Sequence, residues 1–212
     1  MILDFDRTLA AKLESAPRRT EAGEAQYGWL TMLLDAYHVL QVGTELLLDQ
    51  EKLRRGSNVA CDAGCTSCCL RPEVPVTQLE LLGIWWHVMN KMDPNLRFRL
   101  NQRLLEHRKN VECPFLIDSR CSIYTVRPLA CRFLHVFGPR CLPEEIPVQD
   151  RPGDVWLPRK AVPAAISCML PYFGFTNAKS RKQALDDGFI VSVSMPMADF
   201  PWESLACARK DG

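Results

Sequence analysis

The sequence has 212 residues, 47% hydrophobic and 24% charged, with a formal net charge of +1. This is ordinary for a chain that buries a core, and a charge so close to zero supplies no global field to draw nucleic acid or an anionic membrane. No apolar run approaches the ~20 residues of a membrane span, and Met1 to Arg7 lack a basic leader followed by an apolar stretch, so the expected setting is the cytoplasm, where thiols stay reduced.

In chain order, Asp4-Phe5-Asp6-Arg7-Thr8 carries the D-x-D-x-T pattern of haloacid-dehalogenase-type phosphatases. Only three residues precede Asp4, too few for the strand such a nucleophile needs. The pattern is therefore expected to cap a helix running to about Glu14. After a break at Pro17 to Thr20, a long helix is expected from about Glu21 to Arg55. Leu30, Leu33, Leu34, Tyr37, Leu40, Thr44, Leu47 and Leu48 form its apolar face, Gly43 is a candidate bend, and Gly56 closes it. Asp35, His38 and Glu45 on the opposite face read as solvated groups.

Thr77 and Glu80 form a capping box that starts a helix through Trp85 and Trp86 to about Lys91, with both tryptophans expected inside. Asp93-Pro94 opens another to about Lys109. Its arginines, Arg97, Arg99, Arg103 and Arg108, make it basic. Residues 113–124 read as a hairpin turning at Asp118-Ser119-Arg120. Arg127-Pro128 starts a short helix holding Cys131, Arg132 and His135, the last a candidate ligand or a structural residue beside the thiols. Residues 139–163 read as a proline-rich surface loop. Short helices follow near 161–165 and 180–185, and Phe189 to Val193 reads as a late strand.

The chain is organised around Cys61-Asp62-Ala63-Gly64-Cys65-Thr66-Ser67-Cys68-Cys69. Cys113, Cys121, Cys131 and Cys141 follow, while Cys168 and Cys207 stand apart. Thiolates are soft, anionic donors, and clustered intracellular cysteines point to zinc or an iron–sulfur cluster. Adjacent Cys68 and Cys69 strain the backbone if placed on one metal, so either one points away or they serve different metals. Cys61, Cys65 and Cys68 have the Cx3Cx2C spacing of radical S-adenosylmethionine enzymes. The helix before them and the lack of βα repeats exclude that fold, but not three-thiolate ligation of a cluster with one open iron. The expected fold is thus mainly α, a helical domain with a small β-hairpin, stapled by a cysteine-bound metal centre. Its parts are a helical segment at 1–56, a cysteine-rich core at 57–145, and a region of proline-rich loop and short elements at 146–212.

CDAGCTSCC, CPFLIDSRCSIY, RPLACRF and the later Cys141 together resemble the CxxCxxCC family of zinc- or iron-chelating proteins. The cysteine pattern is also similar to that of flagellin lysine N-methylase. The resemblance spans about Cys61 to Cys141. It implies that Cys61, Cys65, Cys68, Cys69, Cys113, Cys121, Cys131 and Cys141 bind metal. The first spacing here has three intervening residues, where many relatives have two. Within the motif, Arg127 and Arg132 are candidates to offset thiolate charge, with ordinary surface arginines as the alternative. Tyr124 is a candidate ligand-binding hydroxyl or a packing residue. Gly64 allows a positive φ that presents amides to sulfur.

Three functions fit. The favoured one is an iron–sulfur protein, [4Fe–4S] in type, with a redox or accessory role. The others are a methyl-transfer enzyme using S-adenosylmethionine and such a cluster, and a structural-zinc module that engages a protein partner. No glycine-rich dinucleotide fingerprint is present to hold S-adenosylmethionine in the usual way. Neither a membrane nor a nucleic acid is an expected partner.

Overall fold

The computed structural model describes residues 4–61, 64–70, 74–107, 112–142 and 145–207, with the backbone alone for 205–207. The described part is mainly helical. The helices are α1 (Phe5–Ser15), α2 (Gly28–Arg55), α3 (Gln78–Asn90), α4 (Pro94–Glu106), α5 (Ala130–Phe133), α6 (Pro147–Asp150), α7 (Ala161–Met169), α8 (Ala178–Asp186), α9 (Phe189–Ser192) and α10 (Trp202–Cys207). The strands are two-residue pieces: β1 (Pro75–Val76), β2 (Leu116–Ile117), β3 (Arg120–Cys121), β4 (His135–Val136), β5 (Val155–Trp156) and β6 (Met195–Pro196). They pair antiparallel as β1–β6, β2–β3 and β4–β5.

The N-terminal D-x-D-x-T pattern is a helix start. The Asp4 carboxylate accepts from the Arg7 N–H at 3.3 Å, and Thr8 Oγ1 donates to the Asp4 carbonyl at 2.8 Å. Asp4 is the N-cap of α1 and Asp6 lies in its first turn. The long helix begins at Gly28 rather than Glu21. Gly23 sits at φ +92 and Glu24–Gln26 form a separate 3-10 turn, so the chain is interrupted before the apolar stripe starts. From there α2 runs 28 residues, about 42 Å at 1.5 Å per residue. Its C-cap is Gly56, in the left-handed region as a glycine cap requires.

The expected inward face of α2 is buried from Leu30 to Thr44, while Leu47 and Leu48 are half-buried. Gly43 has a packing role. It lies where α7 presses on α2, and a Cβ there would stand 2.6 Å from the Ala161 Cβ. The pair α2 and α7 makes the most extensive helix contact of the molecule, followed by α4 with α10.

Helix α3 starts at the expected capping box. Trp86 is buried, but Trp85 is 42% exposed, which corrects the expectation that both lie inside. At 3.6 residues per turn, adjacent positions point about 100° apart, and only one of the two fits the buried stripe. The cations of α4 are largely spoken for within the molecule. Arg97 donates to the Met89 carbonyl, Arg99 pairs with Asp118 at 2.6 Å, and Arg103 pairs with Glu112. Arg108 and Lys109 lie outside the described residues.

The hairpin at 113–124 is present, with Leu116 opposite Cys121 and Ile117 opposite Arg120. Its turn is Asp118-Ser119, both at positive φ (49 and 56), and Arg120 is already in the strand. Three further expectations are corrected. His135 is on β4, not on the helix of Cys131, because that helix ends at Phe133. Residues 155–156 are a strand within the proline-rich stretch, since β4 needs a partner edge. Phe189–Ser192 is a helical turn, not a strand. Its aromatic Phe189 meets Phe173 and Phe175 edge-on, and that packing overrides the β-propensity of an Ile-Val pair.

Candidate metal centre

Each cysteine of the set is held by a different local device. Cys61 follows an isolated bridge between Val59 and Phe137. The Ala60 N–H donates to the Val136 carbonyl at 2.7 Å, and the Val136 N–H donates to Cys61 Sγ at 3.4 Å. Gly64 takes φ +88, so the turn before Cys65 uses the freedom that only glycine has there. Cys68 and Cys69 lie on a 3-10 turn, Ser67–Cys69. The Cys69 carbonyl accepts from the Cys113 N–H at 2.6 Å, which ties the first cysteine loop to the hairpin. Cys113 is buried, with its sulfur 3.9 Å from that of Met197. Cys121 is on β3 and Cys131 on α5. Cys141 is fixed from two sides: its carbonyl accepts from Ser67 Oγ at 3.3 Å, and its sulfur from Arg151 Nη2 at 3.4 Å.

The electrostatic neighbourhoods of these thiols divide them. Burial pushes the Cys61 thiol up against the opposing Val136 N–H, and Cys65, Cys141 and Cys68 push it further. Burial also raises Cys141, which Arg151 opposes and Glu145 and Cys65 reinforce. On the other side, burial pushes Cys113 up to about 12, with the Phe115 N–H opposing and Cys121 and Cys68 adding. Cys131 is raised well above the thiol range by burial, then by Cys113, Cys68 and Cys121. Cys121 is raised by burial, with the Ile123 N–H and Arg127 opposing. Cys68 and Cys69 shift each other in opposite directions. The Cys69 thiol donates, so Cys68 falls below the usual range and Cys69 rises above it, with Arg127 drawing Cys68 further down.

The buried thiols that are raised in this way stay protonated until a cation displaces their protons. All nine described cysteines are unbridged. Among the described residues, no three Cys, His, Asp or Glu groups converge closely enough to hold a metal ion as they stand. The donor chemistry, sulfur throughout, suits zinc or an iron–sulfur cluster.

The other sequence candidates fall in distinct places. The Arg127 guanidinium lies over the Tyr124 ring at 4.3 Å, and its Nε is buried without a hydrogen-bond partner. Its charge reaches Cys68, Cys121 and Cys131. Arg132 is held by other partners, although its charge also reaches Cys121 and Cys131. It donates to the carbonyls of Arg127 and Thr125 at 2.8 and 2.7 Å and lies 3.9 Å over the Tyr37 ring. Tyr124 is 58% exposed. His135 stacks against Trp156 with its Nε2 buried and unpaired, and burial lowers its pKa to about 4. Cys168 is on α7, where its charged neighbours are Asp35 and Arg181 rather than the cysteine set. The Cys207 side chain lies outside what is described.

Two residues that sequence reasoning did not connect to the site organise it. Arg151 donates to Glu145, Asp154, the carbonyls of Phe137 and Pro139, and Cys141 Sγ. It pins the segment that carries Cys141. Its only sequence signal is a lone arginine between acids in a proline-rich stretch. Glu80, expected only as a capping residue, also accepts from the Leu129 N–H at 2.7 Å. A buried carboxylate thus joins the start of α3 to the loop just before Cys131.

No curated protein and no solved structure matches the chain significantly. One family model does, over residues 60–148, described as "Putative zinc- or iron-chelating domain". That span contains all eight clustered cysteines, with Arg127 and Arg132, and ends before Arg151. Residues 60–148, about two fifths of the chain, therefore match the CxxCxxCC family model.

Proposed function

We propose that this chain is an iron–sulfur protein whose eight clustered thiolates hold its metal as two sets of four. The observation that carries the reading is the division of the thiols into two neighbourhoods that meet at Cys68-Cys69. In this reading Cys61, Cys65 and Cys141 take one of the adjacent pair Cys68-Cys69, and Cys113, Cys121 and Cys131 take the other; Cys68 adjoins both groups, lying beside Cys61 on one side and beside Cys113, Cys121 and Cys131 on the other. Adjacent cysteines on one metal strain the peptide between them, and serving separate centres avoids that. Closing either set requires its side chains to rotate inward. When bound, the clusters would supply one-electron redox chemistry. The protein's part is to set the potential through the Val136 N–H on Cys61, the Arg151 guanidinium on Cys141 and the Arg127 charge beside Cys68.

Two other readings share the residues. Structural zinc gains support from the burial of Cys113 among core side chains, where metal binding is folding energy. Methyl transfer from S-adenosylmethionine needs an open iron, and a four-thiolate set leaves none. Metal and acid-labile sulfide analysis on protein purified without oxygen tests all three. About four irons and four sulfides for each occupied set, with absorbance near ~400 nm, is the expected result. Colourless protein with zinc and no sulfide would overturn the iron–sulfur reading and favour a structural module with a protein partner.

A further inference from the structure

A groove of about 670 Å³ opens between α2 and the segment 148–160, away from the cysteine sulfurs. Its volume falls within the range of small-molecule sites. Its charge is unusual for a chain of net +1. Arg54 and Arg55 enter from α2, and Arg159 and Lys160 from the end of the other segment, with Glu51 the only carboxylate in the lining.

The four cations differ in what holds them. Glu51 accepts from both Arg54 and Arg55, and Arg55 also donates to the Gly153 carbonyl at 2.7 Å and lies over the Phe137 ring. Arg55 is therefore held in place and Arg54 is tethered by its ion pair, while only one negative charge answers the two. Arg159 and Lys160 are exposed, and no carboxylate pairs with either among the described residues. Tethered guanidiniums beside free cations suit an anion with several acceptor oxygens, since planar Arg forks bind phosphate oxygens two at a time. Trp156 lines the same groove beside aliphatic side chains, and offers a surface for a planar ring.

We propose that this groove binds an organic polyphosphate of nucleoside-diphosphate size, with its phosphates among Arg54, Arg55, Arg159 and Lys160 and its ring toward Trp156. The site would sit on the wall it shares with the metal centre. Trp156 is on β5, β5 pairs with β4, and β4 supplies the N–H that donates to Cys61. The proposal does not depend on which metal the cysteines hold.

The test is calorimetric titration of the full-length protein with adenosine diphosphate, pyrophosphate and adenosine at low salt. The expected result is one saturable diphosphate site, competition by pyrophosphate, and affinity that falls as salt rises. The double variant Arg159→Glu/Lys160→Glu should weaken binding about tenfold or more. Both side chains are exposed, so its melting temperature should match the parent's. The same double variant should keep the parent's metal content, which separates this site from the metal reading. The proposal is overturned if no saturable binding occurs, if the charge-reversal variant binds unchanged, or if adenosine alone binds as well as its diphosphate.

Discussion

Removing the Glu80 carboxylate tests whether one buried group joins the helical scaffold to the cysteine loops. Glu80 is 3% exposed. One oxygen accepts from the Thr77 N–H and the Thr77 hydroxyl, each at 2.8 Å, and the other from the Leu129 N–H at 2.7 Å. Glu80→Ala deletes three hydrogen bonds and leaves two buried N–H groups without acceptors. At ~1–3 kcal/mol for each buried group left unsatisfied, the loss should be about 3–5 kcal/mol once the cavity is included. Glu80→Gln keeps the shape but turns an NH2 toward one donor, at a cost of ~1–3 kcal/mol. Thr77→Ala removes only the side-chain half of the cap, ~1 kcal/mol. Urea unfolding should therefore rank the variants in that order, with unchanged m-values.

The pH dependence supplies a second check. Burial raises the Glu80 pKa above 4.5, against the opposing Thr77 and Leu129 N–H groups. The folded state then keeps this proton longer than the unfolded chain, so its contribution to stability falls as pH climbs from 4.5 through the raised value. Glu80→Gln should remove that slope. A Glu80→Ala midpoint within error of the parent's, or a larger loss from Thr77→Ala, would refute the argument.

Other outcomes follow from the same contacts. Cys65→Ser and Cys121→Ser should each lose metal, one from each proposed set, whereas Cys168→Ser should keep the full content; metal analysis of the purified variants decides it. Arg151→Ala should loosen the segment bearing Cys141, costing ~1–3 kcal/mol for the broken half-buried network and lowering metal retention under a chelator challenge. Gly43→Ala should destabilise by ~1–3 kcal/mol through the Ala161 contact, and Ala161→Gly should rescue it in a double-mutant cycle. Burial holds the His135 pKa near about 4. The neutral ring's contribution is thus complete above ~6.5 and is lost as pH falls from there toward 4, which an imidazole NMR titration would follow.

What was legible in the sequence was whatever depends on near neighbours. The Asp4 cap, the Thr77–Glu80 box, the Asp93-Pro94 start and the Gly56 stop all appear where local chemistry puts them. The cysteine spacings agree with the family match over residues 60–148 for the same reason, since a nine-residue loop cannot scatter its thiols. What failed depends on distant partners. β4 and β5 are two residues each and exist only because they meet across about twenty residues of chain. Trp85 and Trp86 differ in burial through what lies beside α3. The placement of Cys141 could not be read because it is held by Ser67 and Arg151, one from each side. The metal itself was illegible because zinc and iron take the same sulfur ligands.

The hairpin turn has a consequence for how the chain assembles. Asp118 and Ser119 both occupy the left-handed region, where Asn-Gly would be the favoured pair. The turn is therefore a weak nucleator, and the strands it joins are two residues each. Its anchors come from outside: Arg99 on α4 clasps Asp118, and Cys113 hangs from the Cys69 carbonyl. The hairpin should form after α4 has docked, with φ-values near zero at Leu116 and Ile117. Ser119→Gly should then slow unfolding or speed folding according to how early the turn closes. In a nascent chain, Cys121 would be among the last sulfurs to arrive, so the first cysteine loop would meet metal before the hairpin does.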